Sequence, residues 1–183
     1  MSNWKAEVMF SSENQDWRTP GWLYSVLDDE FVFELDAAAS KQNACCGYWF
    51  DEELDALSQD WINPTAYQAH GLENPAWAGP PWERVWLNAP YGRSVGKWGE
   101  KAFNESRKGL TVVMRVMAST DTEWWHTWAS RATQIRLLKG RLKFSREENI
   151  SGPAPKGSAV LVFAPWWDGP PQITLWNPPR FVT

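Results

Sequence analysis

The chain has 183 residues, 43% of them apolar and 22% charged, a composition that excludes a disordered or fibrous polypeptide and allows one domain with its own core. It contains no run of 18 apolar residues, so no membrane-spanning helix is expected, and residues 1–10, with Lys5 and Glu7, lack the apolar stretch of a secretory leader. The formal net charge of -4 is unevenly distributed: residues 1–83 hold 3 Lys/Arg against 15 Asp/Glu, whereas residues 84–158 hold 14 against 6.

Residues 1–15 are polar and read as a loose N-terminal arm, with a single domain expected over 16–164. Thr19 followed by Pro20 is a helix-start pattern, a hydroxyl N-cap with proline at the first helical position. Trp22, Leu23, Val26 and Leu27 then recur at helical spacing. "FVFELDAAAS", 31–40, predicts a short strand ending at Asp36, followed by small residues where the backbone turns tightly or a ligand comes close. "KQNACCG" fits one or two helical turns, "YWFDEE" predicts a second strand ending in acids, and "ELDAL" predicts a short helical piece before Asp60. Residues 63–82 are rich in Pro, Gly, Ala and Asn and predict a long loop. Loops of that length inside a domain commonly carry function, and Trp77 and Trp82 are candidate contacts to a nucleic acid.

"RVWLN" predicts a strand, "SVGKWGEKAFNESRKG" a helix stopped by Gly109, and "LTVVMRVM" the strongest strand in the chain. "TDTEWWHTWASRA" predicts a helix with a capping box formed by Thr120 and Glu123. Trp124, Trp125 and Trp128 at helical spacing read as core, and His126 as a surface residue. "QIRLLKG" and "RLKFS" predict strands separated by Gly140, "SAVLVFAP" predicts a last buried strand, and 165–183 reads as a Pro-rich surface tail. Strands alternating with helices predict an α/β, doubly wound, mostly parallel sheet with an antiparallel C-terminal edge. Ligands of such sheets bind at the carboxyl ends of the strands, which places Asp36, Asp60 and Asn88 along one edge.

The cysteines are the adjacent pair Cys45 and Cys46, which cannot form a disulfide framework, so a reducing, cytoplasmic compartment is expected. His70 and His126 each stand alone, so no metal site is expected. The basic segment suggests nucleic acid as partner. Arg93 and Lys97 beside the 88–91 turn, and Arg141, Lys143 and Arg146 further on, form either a phosphate-contacting edge or an ordinary solvated surface.

The strand at 84–88 runs into Asn88, Ala89, Pro90 and Tyr91. An exocyclic amino group on a nucleobase is planar because its lone pair is delocalised into the ring. Two acceptors on its N–H bonds free that lone pair for attack on an electrophilic methyl. The Asn88 side-chain oxygen and the Ala89 carbonyl are two such acceptors. Pro90 stiffens the turn and Tyr91 offers a stacking face. A base in duplex DNA has to be flipped out to reach them. Read alone, the tetrapeptide is equally an ordinary strand-ending turn.

The sequence resembles the phage-type Dam-like DNA N6-adenine methyltransferases over about residues 16–163. The resemblance rests on "DWRTPGWLYSVLDDEFVFELDAAASKQNACCGYW", "DALSQDW", "VWLNAPYG" with "KWGEKA", "TVVMRVMASTDTEWWH", "IRLLKGRLKF" and "SAVLVF", in that order. It implies the class I (Rossmann-like) methyltransferase fold, S-adenosylmethionine as cofactor, double-stranded DNA as partner and adenine N6 as acceptor. By the same resemblance, Asn88, Ala89, Pro90 and Tyr91 stand at the catalytic tetrapeptide. Asp36 with Ala37, Ala38 and Ser40 stands at the cofactor-binding turn, and Thr19 and Pro20 lead into the cofactor pocket. Asp60 lies near the cofactor's adenine, and Asp51 or Glu52 at its ribose. The family usually has Pro where this chain has Ala89. Related rRNA adenine dimethyltransferases carry Asn-Leu-Pro-Tyr or Asn-Ile-Pro-Tyr, so the position supplies a carbonyl, and reduced or altered activity is the expectation. The turn itself also suits cytosine N4, RNA or a glutamine side chain. A non-catalytic DNA- or cofactor-binding relative is the alternative from another class.

Overall fold

The computed structural model describes residues 19–69, 81–144 and 152–179. Helix α1 is Gly21–Phe31, followed by strands β1 (Leu35–Asp36), β2 (Tyr48–Trp49), β3 (Gln68–Ala69) and β4 (Arg84–Asn88). Helix α2 (Val95–Ser106), β5 (Thr111–Met117), the short α3 (Glu123–Thr127) and β6 (Gln134–Leu138) come next. The chain continues with β7 (Lys143–Phe144), β8 (Gly152–Pro153), β9 (Ser158–Phe163) and β10 (Gln172–Trp176).

Eight strands form one sheet in the order β10-β6-β9-β5-β4-β1-β2-β3. Six run in one direction, with β3 and β9 opposed to them. β7 and β8 pair separately. The sheet is covered on both faces, which is why its central strands read as unbroken apolar runs. Val85, Leu87, Val112, Met114, Leu161 and Phe163 point to one core with Trp98 and Ala102 of α2 and Trp125 of α3. Trp86, Val113, Val160 and Val162 point to the other, with Leu23 and Leu27 of α1. Helix α2 approaches α3 through Gly96 and Gly99, where an added Cβ would stand 3.1 Å from the Cβ of Trp124 and of Trp128 respectively.

The antiparallel element differs from the expected C-terminal edge. β9 lies inside the sheet, between β5 and β6, because all six of its residues are buried. The edge belongs instead to β10, parallel to β6 and formed from residues expected to be a surface tail. Short elements moved as well. Helix α1 begins after Pro20, and no side chain caps it, so Thr19 is not its N-cap. Helix α3 starts after Thr122, so Thr120 does not cap it. The "KQNACCG" and "ELDAL" segments are turns, the latter with Asp55 at φ 42°. Among the described residues no helix is long and apolar enough to cross a membrane, and no three His, Cys, Asp or Glu group as metal ligands.

Candidate active site

The chain leaves β1 in one direction, through β2 to β3, and returns to β4 on the other side of β1. The order therefore reverses between β1 and β4, and the carboxyl ends of these two strands open a crevice there. Asp36 ends β1 and Asn88 ends β4.

Asp36 is 2% exposed. Its carboxylate accepts the Ala38 N–H at 3.3 Å and the Cys45 N–H at 3.1 Å, which fixes both ends of the loop between them. That loop is also held to the sheet: the Ala37 N–H donates to the Trp86 carbonyl at 2.9 Å and the Ala39 N–H to the Phe50 carbonyl at 3.0 Å. Desolvation pushes the Asp36 pKa up to about 6, against the opposing pull of the two amide hydrogen bonds. Nearby, burial pushes the Tyr24 phenol and the Cys46 thiol upward, so both stay neutral, 3.5 Å apart.

At the end of β4, Ala89 is 4% exposed and packs into the core that holds Trp98. Gly92, at φ 109°, closes the turn in a conformation that favours glycine. Tyr91 folds back against the α1-side core. There the buried Arg115 of β5, in register beside Asn88, donates a hydrogen bond from Nη1 to the Tyr91 hydroxyl. The guanidinium carbon is 5.1 Å from the ring centroid. Burial raises the Tyr91 pKa even though the Arg115 charge and hydrogen bond pull the other way, so the hydroxyl stays protonated.

Two adjoining cavities with shared wall residues occupy the crevice. The larger, about 600 Å³, is lined by the 37–40 turn, Asp51, Glu52 and Asp55, the 88–91 turn, Ser94 and Trp98. The smaller, about 230 Å³, is lined by Thr19, Asp36, Cys45, Trp86 and Asn88 among others. Ala38, Gln42, Asn43 and Asn88 line both. In the wall of the smaller cavity the buried Thr19 Oγ1 and Trp86 Nε1 have no hydrogen-bond partner among the described residues.

The structure thus brings together Thr19, Asp36, Ala37, Ala38, Ser40, Asp51, Glu52 and the whole tetrapeptide from Asn88 to Tyr91. Pro20 stands one residue from the cavity wall, as the residue before α1. Asp60 is not among the residues lining either cavity. Its carboxylate sits 3.1 Å from Lys108 and accepts the N–H groups of Ile62 and Asn63. Slight desolvation acts against its charge, but the Lys108 and amide hydrogen bonds outweigh that and lower its pKa. The segment is pinned there because Glu105, buried in α2, accepts from Lys101 at 2.5 Å, from Lys108 at 3.0 Å and from the Trp61 N–H at 3.3 Å. Trp82 is also core, 3% exposed and packed on Tyr48 and Tyr67. Trp77 and Arg146 lie outside the described residues. Arg93, Lys97 and Arg141 are exposed, and Lys143 is in β7.

Trp86, Trp98 and Arg115 were not singled out from the sequence. Arg115 carried a usable signal, a charge in the middle of the apolar run "TVVMRVM". Trp86 carried another, lying two residues before Asn88 and so on the same strand face.

The family described as DNA N-6-adenine-methyltransferase (Dam) matches residues 7–180. The chain belongs to this family. A relative from Escherichia phage T1, named DNA N-6-adenine-methyltransferase, is 25% identical over 148 residues, 80% of this chain. That match covers 52% of the phage protein, so the chain spans about half the length of this curated relative. The family match extends beyond both strands that carry the crevice, into β10.

Proposed function

We propose that the chain transfers a methyl group from S-adenosylmethionine to the exocyclic N6 of adenine in double-stranded DNA, on a class I methyltransferase fold. The observation that carries this is the meeting of the Asn88 turn and the Asp36 turn around one crevice. Membership of the family and the name of the phage relative point to the same acceptor.

The donor set of the two cavities fits the cofactor. In the smaller one Thr19, Trp86 and Asp36 share the wall, and two buried groups able to donate, Thr19 Oγ1 and Trp86 Nε1, have no partner among the described residues. A zwitterionic amino-acid end satisfies all three: its carboxylate accepts from Thr19 and Trp86, and its ammonium pairs with Asp36. Asp51 and Glu52 in the larger cavity are acceptors suited to ribose hydroxyls. When bound, the cofactor supplies an electrophilic methyl group. The chain's own residues position the nucleophile. The Asn88 oxygen and the Ala89 carbonyl accept the two N–H bonds of the amino group, Pro90 limits the turn's freedom, and Tyr91 stacks on the flipped base.

The test is methyl transfer from labelled cofactor to unmethylated duplex DNA, with nucleoside analysis and Asn88→Ala in parallel. N6-methyladenine from the parent is expected, falling at least about a hundredfold in the variant as the acceptor that frees the lone pair is lost. Methylcytosine as product, or transfer to RNA alone, would move the acceptor assignment. A cofactor-binding parent that methylates no nucleic acid would sink the proposal.

A further inference from the structure

The position of Arg115 needs a reason of its own. After Thr111 it is the one residue of its strand that is neither Val nor Met, is 0% exposed, and lies in register with Asn88 on the neighbouring strand. A guanidinium is costly to bury unless its donors and charge are used, so an ordinary packing role would be served better by an aliphatic side chain. Among the described residues it engages Tyr91, with one hydrogen bond to the hydroxyl and the guanidinium carbon 5.1 Å from the ring centroid.

These two contacts restrain different motions. A hydrogen bond at the para oxygen fixes where the far end of the ring sits. A cation near the ring resists its rotation about the Cβ–Cγ bond. Tyr91 itself lines the larger cavity, so a ring held in this way presents a fixed surface to whatever enters. The restraint matters more here because Ala89 leaves φ less confined than a proline would at the same place.

We propose that Arg115 is a positioning residue for the reaction: it acts through Tyr91, holding the ring in the orientation that stacks the acceptor base against the Asn88 and Ala89 acceptors. This rests on the methyl-transfer reading above. It predicts that the Tyr91 hydroxyl, which touches no reacting atom, matters for the rate because it is the handle by which Arg115 holds the ring.

The experiment compares the full chain with Tyr91→Phe, Arg115→Met, Arg115→Lys and the Tyr91→Phe/Arg115→Met double variant. Single-turnover methylation of duplex DNA, S-adenosylhomocysteine affinity and thermal midpoint are measured for each. Tyr91→Phe and Arg115→Met should each slow the methyl-transfer step by roughly ten- to a hundredfold, with cofactor affinity unchanged within about twofold. The double variant should be no slower than the slower single variant, because Arg115→Met already removes both contacts and Tyr91→Phe removes one of the same two. Arg115→Lys, which keeps a charge and a donor, should recover part of the loss. A Tyr91→Phe variant as fast as the parent overturns the proposal, even if Arg115→Met fails to fold. Multiplicative losses in the double variant also overturn it. A parent that transfers no methyl group removes the functional reading and this role with it, whereas an active parent with unaffected variants removes this role alone.

Discussion

At the end of β1, Asp36 is 2% exposed, so water does little to solvate its charge. Its pKa rises from the ordinary 3.8 to about 6, a difference worth about 3 kcal/mol. The sign for the ligand-free chain follows from linkage. Below 3.8 the acid is protonated in folded and unfolded states alike, and above about 6 the folded chain alone bears a desolvated charge, so this group lowers stability as pH rises between the two. A ligand ammonium reverses the balance, because it favours the ionised form. S-adenosylhomocysteine should therefore bind with full affinity above pH about 6 and more weakly as pH falls below it, approaching a tenfold loss per pH unit. Methylthioadenosine, which has the same nucleoside but no amino-acid end, should show no such fall over that window. Calorimetric titrations of both ligands from pH 5 to 8 check this. A parallel fall for the two would mean that Asp36 does not face the ammonium.

At the scale of elements, α2 and α3 depend on two small residues. Gly99 is buried, and a Cβ there would stand 3.1 Å from the Cβ of Trp128, an atom fixed to its own backbone rather than the end of a flexible chain. Alanine improves helix propensity by about 1 kcal/mol over glycine. The contact cannot be relieved by a rotamer change, so α3 has to shift, and overpacking of this kind costs about 1–3 kcal/mol. Gly99→Ala should therefore lower the denaturant midpoint despite the better propensity. A raised midpoint would show that the segment around Trp128 yields without loss. Elements differed in how far the sequence revealed them, for a physical reason. β4, β5 and β9 are covered on both faces, and their continuous apolar runs could be read directly. β1 and β2 are two-residue pairings made by partners far along the chain, so no local pattern specifies their limits. β10 alternates and is bracketed by prolines, and with Ile173 and Leu175 exposed it resembles a tail until its pairing with β6 is seen. The site was legible where it coincides with strand ends, at Asp36 and Asn88. Asp60 lies away from the two cavities because the Lys101, Glu105 and Lys108 cluster that draws its segment onto α2 comes from about forty-five residues later. Trp86 and Arg115 lie in strand interiors, where side chains are read as packing by default.

For the whole molecule, topology converts the charge asymmetry of the sequence into a map. All the parallel strands end at the edge that bears the crevice, and the antiparallel β9 begins there. Acids follow β2 at this edge, with Glu52, Glu53 and Asp55 exposed. The other half is mainly basic, with Arg93 after β4, Lys139 and Arg141 after β6 and Lys156 before β9 all exposed, against the exposed Asp121 and Glu123 after β5. Lys156 lies 3.2 Å from the Ser119 hydroxyl, in the loop after β5. A polyanion drawn to the crevice meets a more favourable potential on the β4–β6 half than on the β2 half. The acidic side is also where the cofactor's uncharged ribose is proposed to sit, so the two ligands do not compete for one field. On the proposed function, a bound duplex is expected over the basic half, which gives a quantity to measure. Each phosphate neutralised by a basic side chain contributes about 0.9 to the slope of log affinity against log salt. Changing Lys139, Arg141 and Lys156 together to Gln should reduce that slope by about 2 to 3 and weaken binding similarly for all sequences. Neutralising Glu52 and Glu53 should leave the slope nearly unchanged, since no phosphate contact is removed. DNA binding by fluorescence anisotropy from 50 to 300 mM salt reads both. If the triple variant kept the parent's slope, the duplex would have to approach from a different side of the sheet, and the charge map would reflect solvation alone.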